Sequence, residues 1–136
     1  MQYKEFVQEV QKRAQLPDLS VSATMIDASV ATLGERLDAA DREGLGAQLP
    51  RKIKEILAER HSGDLFSLEE YYNRVSARAG VGYPEAVRWS KVVMSVLGSA
   101  ITSGLLTKIL SSLPPEFGEL FGTRPITPLS ASSLPE

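Results

Sequence analysis

The chain has 136 residues, 43% of them apolar and 24% charged, with a formal net charge of −2. That is enough for one domain with a proper core, and the balance is that of a soluble globular protein rather than a disordered one. The small negative charge argues against a general nucleic-acid binder working by phosphate neutralisation, and the absence of cysteine excludes disulfides, thiolate catalysis and cysteine-based metal centres.

The opening stretch, MQYKEFVQEV, has no apolar segment of signal-peptide type, so a cytoplasmic location is expected. Phe6, Val7 and Val10 then recur at amphipathic-helix spacing, with Arg13 in the last turn where a cation complements the helix dipole. A long second helix is predicted over roughly 20–37. A short third begins after Asp38, a good N-cap. The acids Asp38, Asp41 and Glu43 there read as capping and dipole complementarity rather than an acid–base pair. Pro50 ends that helix and starts a fourth, RKIKEILAER, whose Arg51, Lys52 and Lys54 are diluted by Glu55 and Glu59 and read as a solvated face.

A linker follows at 59–66, with turn chemistry at Ser62-Gly63-Asp64 and the sole histidine, His61. A ligand histidine wants partners at defined spacing, so His61 reads as a solvated residue, with neither a metal nor a cofactor implied. Beyond the linker the helix signals return. Ser67 can cap and Glu70 can close a capping box; Pro84 suits the first turn of a long helix to about 101; Thr102 can cap a short helix; Pro114 starts a last one. The segment 122–136, rich in proline and serine and without periodicity, is expected to be a disordered tail.

The return is a repeat. Tyr3–Ala14 over Leu68–Ala79 pairs Glu5 with Glu70, Phe6 with Tyr71, Val10 with Val75, and Arg13-Ala14 with Arg78-Ala79. One residue dropped in the next loop, Leu33-Gly34 meets Leu97-Gly98, Leu49-Pro50 meets Leu113-Pro114, and Ile53, Ile56 and Leu57 meet Phe117, Leu120 and Phe121. The sequence therefore predicts an all-α fold: a tandem duplication of a four-helix unit (3–60 and 67–121) forming one compact helical domain over 1–121.

The stretches SVATLGERLDAADREGLGAQLPRKIKEIL and FSLEEYYNRVSARAG resemble the bacterial family called domain of unknown function 2267. The likeness lies in the leucine-rich second helix, the acidic short third helix, the QLP step and the similar second half, and it covers about residues 3–121. It implies an all-helical bacterial cytosolic protein. It implies no activity, so no functional residue carries over. The second unit departs from the pattern, with SSLP in place of QLP.

No catalytic constellation is visible: there is no nucleophile elbow, phosphate loop or dinucleotide fingerprint. The informative feature is a difference between the repeats. Asp41-Arg42-Glu43 stand where the second unit has Leu105-Leu106-Thr107, and 92–107 carries no charge. That apolar face can pack on the first unit, make a homodimer, or touch a membrane; at 16 residues with a break at Thr102 it is too short to span one. The leading expectation is a non-enzymatic protein-interaction or scaffold module whose face carries Leu105, Leu106 and Ile109. The alternative is a small-molecule or lipid sensor or carrier, with a pocket between the units lined by Tyr71, Tyr83, Trp89 and Phe117. A third reading is an enzyme using carboxylates alone, which requires two buried acids facing one cleft.

Overall fold

Four of the helices start where a side chain satisfies one of the first free N–H groups. Asp18 accepts from the Val21 amide (3.0 Å), Asp38 from Asp41 (2.8 Å), Ser67 from Glu70 (3.1 Å) and Thr102 from Leu105 (3.2 Å). Each such cap is worth about 1 kcal/mol. In the computed structural model, which describes residues 1–122, the elements are α1 (Tyr3–Ala14), α2 (Leu19–Arg36), α3 (Ala39–Gln48), α4 (Arg51–Leu57), α5 (Leu68–Ala79), α6 (Tyr83–Ser99), α7 (Ser103–Ser111) and a 3-10 turn at Pro115–Gly118. There is no strand among the described residues. The expected tail lies outside them, apart from Gly122.

Two local expectations need correcting. Ser67 caps α5, but the Glu70 carboxylate turns to Arg74 (2.8 Å), the stronger charged partner, instead of closing a capping box. The second half also lacks a fourth α-helix. The Pro114-Pro115 pair and Gly118 hold the backbone to the single 3-10 turn, whereas RKIKEIL consists of good helix formers. Phe117, Leu120 and Phe121 are buried all the same, as are Ile53, Ile56 and Leu57.

The ends of α1 and α5 match where their residues differ. Gln15 and Gly80 both adopt left-handed backbone, at φ 55° and 69°. The amides of Leu16 and Val81 reach back five residues to the Gln11 and Ser76 carbonyls. The side chains of Gln11 and Ser76 in turn donate to the carbonyls of Leu16 and Val81. Both ends are thus Schellman-type turns with the same extra clasp.

One core joins the halves. α1 packs on α6 and α5 on α2, while the long helices α2 and α6 also meet. The crossing is reciprocal down to its polar contacts: Arg13 at the end of α1 donates to Ser95 of α6 (3.1 Å), and Arg78 at the end of α5 donates to Thr32 of α2 (2.9 Å). Tyr71 sits wholly buried at the centre, its hydroxyl donating to the Ser29 carbonyl of α2 (2.8 Å). Burial and the neighbouring Tyr72 hold that hydroxyl far above its usual pKa, so it stays a donor. Tyr71→Phe keeps the ring and loses the bond. The expected cost is about 1 kcal/mol, read from urea unfolding.

Candidate functional site

α7 runs antiparallel to α3, and the two are tied at both ends. At one end Gln48, the last residue of α3, accepts from the Thr102 amide (2.8 Å) and donates to the Thr102 hydroxyl (3.4 Å). At the other end the Ser112 hydroxyl donates to the buried Asp41 carboxylate (2.6 Å). Between these ties Leu105 lies over Gly44, close enough that a Cβ there would come within 3.3 Å of Cδ1. The hydroxyl partner of Asp41 comes from a residue 71 positions away. Its sequence reading as a capping and dipole acid missed this contact, and no local signal announces it.

The three residues expected on one interaction face point to different places. Ile109 is wholly buried in the core and cannot join an outer surface. Leu105 rests on α3, and Leu106 lies against α6 near Gly98. Both leucines remain half-buried, together with Ile101 and Leu110. Ile109 was misplaced because the 105, 106, 109 pattern marks an apolar side of the helix without saying which members the rest of the fold covers.

The four aromatic residues expected around a pocket divide in the same way. Tyr71 and Phe117 are wholly buried and meet edge-to-face, with centroids 6.4 Å apart. They are core. Tyr83 is 40% exposed and touches Tyr72, with centroids 6.0 Å apart. Trp89 is half-buried, with the Arg88 guanidinium 5.6 Å from its ring centroid. An open groove between the halves lies elsewhere, lined by Ser20, Val21, Thr24, Met25, Ala79 and Val81, with a volume of about 280 Å³. These small and mid-sized residues carry no distinctive motif, which is why the sequence did not single them out.

A second polar cluster ties the linker to both halves. Glu35 near the end of α2 lies 2.8 Å from Arg78 and 3.2 Å from Arg74. Arg74 also reaches Asp64 (2.7 Å) and Glu70 (2.8 Å), and its guanidinium stacks 3.9 Å from the Phe66 ring centroid. Burial disfavours the Glu35 charge, but Arg78 and Arg74 outweigh it, so the carboxyl sits below the usual carboxylate range. Burial also opposes the charge on Arg74; its three carboxylate partners prevail and raise its pKa. Arg36 donates to the Phe66 carbonyl (2.7 Å), and desolvation lowers its pKa. The cluster braces the linker against both halves.

The remaining sequence candidates are accounted for simply. His61 is exposed in the linker. Arg51 and Lys52 are exposed, and Lys54 lays its stem along Gly46. Among the described residues no three His, Asp or Glu side chains gather in a metal-holding group, and no helix is long and apolar enough to cross a membrane.

A comparison with curated proteins gave no match. Residues 3–120, nearly all of the described chain, match the family model "Uncharacterized conserved protein (DUF2267)". A match over residues 3–120 of an all-helical chain places the protein in the DUF2267 family.

Proposed function

We propose that the chain is a non-enzymatic interaction module of the bacterial cytoplasm, with the α3–α7 surface as its contact face. One observation carries this reading. α7 buries only Ile109, and it keeps Leu105, Leu106 and Leu110 half-covered with no charge but Lys108 among its residues. A helix optimised only for the fold would bury such leucines or replace them with polar residues. The buried acids support the non-enzymatic part, since Glu35 is held by two arginines and Asp41 by Ser112.

The test is site-specific photo-crosslinking in producing cells, with the reactive residue in place of exposed Thr107 on α7 or of exposed Lys12 on α1. Discrete adducts are expected from position 107 and none from position 12. Equal labelling from both, or none from 107, removes the basis for the proposal.

The carrier reading retains support from the groove at Ser20, Val21, Thr24, Met25, Ala79 and Val81, whose apolar lining suits a small aliphatic group. A rise in melting temperature with medium-chain fatty acids, lost in Ala79→Phe, would favour it over the interaction reading. The tandem duplication belongs here too. Its support is the matched turns at Gln15 and Gly80 and the reciprocal arginine contacts.

A further inference from the structure

The stretch 98–112, which carries α7, lies between two fixed points. Leu97 before it and Leu113 after it are buried in the core. Within the stretch Ile109 is the one buried residue. Each of the other α-helices among the described residues buries at least three.

α7 is also a weak helix on its own account. Ser103, Gly104, Thr107 and Ser111 fill four of its nine positions, and none of them is a good helix former. A helix this short has little stability in isolation, so it stands on what it docks against. Its support is Ile109, the half-covered Leu105, Leu106 and Leu110, and two polar ties to α3, Gln48 with Thr102 and Asp41 with Ser112. Hydrophobic stabilisation scales with the apolar area covered, and α7 covers the least. Elements so placed open at lower cost than the whole fold, as separate units.

We propose that α7 is a lid, which lifts from α3 and α6 as one unit while the rest of the core stays folded. Lifting breaks both ties, withdraws Ile109 from the core, and bares the places on α3 and α6, at Gly44 and Gly98, that Leu105 and Leu106 cover. The buried Asp41 carboxylate then exchanges the Ser112 hydroxyl for water. Leu97 and Leu113 keep their places, so neither α6 nor the segment from Phe117 to Phe121 has to move. The motion requires no partner and goes beyond the interaction reading.

The experiment is native-state hydrogen exchange of the full natural chain, followed residue by residue by NMR, without urea and at urea concentrations well below the unfolding midpoint. The amides of residues 107–111 are bonded inside α7. Their protection is expected to be uniform, roughly a hundredfold lower than that of Val30, Leu33 and Val75, and unmoved by urea that speeds exchange in α2 and α5. Equal protection and equal urea response in all three helices would show that α7 leaves only when the whole protein unfolds, and overturns the lid. Protection that falls away steadily toward one end of α7 would show fraying, and overturns the single unit. A chemical probe reads the same motion, since the chain has no cysteine. Ile109→Cys and Val93→Cys each place one thiol at a wholly buried position. A maleimide is expected to modify the Ile109→Cys variant roughly a hundredfold faster, and equal rates overturn the lid. Should Ile109→Cys fail to fold, the exchange of the natural chain decides.

Discussion

Glu35→Gln is expected to destabilise the protein by about 3 kcal/mol at neutral pH, among the largest effects of any polar substitution in the chain. The variant keeps the size of the side chain and removes the charge facing Arg74 and Arg78. Arg74 retains Asp64 and Glu70; Arg78 keeps only the Thr32 hydroxyl. The cost therefore falls mainly on Arg78, left largely covered without a counter-charge.

The pH dependence follows from the lowered pKa of Glu35. The unfolded carboxyl titrates near 4.3. A group whose folded pKa lies below its unfolded one contributes fully above the unfolded value, and the contribution fades as pH falls through the folded one. The gap between the natural chain and Glu35→Gln should thus be constant from about pH 6 to 8 and shrink as acid is added below about pH 4. Urea midpoints of both proteins across that range check it. A gap that is absent at pH 7, or that widens in acid, would refute the role assigned to the cluster.

The second large effect concerns Gly34 and Gly98, which the alignment of the two halves of the sequence pairs. A Cβ on Gly34 would overlap the Leu57 carbonyl oxygen and lie 3.0 Å from its carbon, because α2 and the end of α4 touch backbone to backbone there. Backbone cannot swing aside as a side chain can. Gly34→Ala should therefore cost about 3 kcal/mol. At Gly98 the nearest atom to a new Cβ is Leu106 Cδ2 at 3.8 Å, an ordinary contact. Gly98→Ala should then be neutral or raise stability by up to about 1 kcal/mol through helix propensity. Thermal melts of the two variants decide the matter: a clear fall is expected for Gly34→Ala and none for Gly98→Ala, and a fall of similar size in both would mean that the halves pack alike at this point.

The glycine pair also shows why aligning the two halves was only half informative. An alignment reports that Gly34 and Gly98 correspond, but not that the second half has a 3-10 turn in place of α4 and brings no backbone to Gly98 as Leu57 comes to Gly34.

The sequence by itself determined the seven α-helices and most of their starts. Asp38 and Thr102 are caps by their chemistry, Pro50 and Pro114 are helix boundaries by their missing N–H, and the spacing of Phe6, Val7 and Val10 needs no neighbour to mark an inward face. These are properties of a few adjacent residues, so they survive in the sequence. Only the tertiary structure decided which inward faces meet. Tyr71 became core rather than pocket because α2 brings the Ser29 carbonyl to its hydroxyl across 42 positions. Asp41 became a tie to Ser112, and Gly104 was left facing open space, through the placing of α7 against α3. Such contacts join residues far apart in the chain, and periodicity, which reports a direction around a helix axis, carries no record of what lies in that direction.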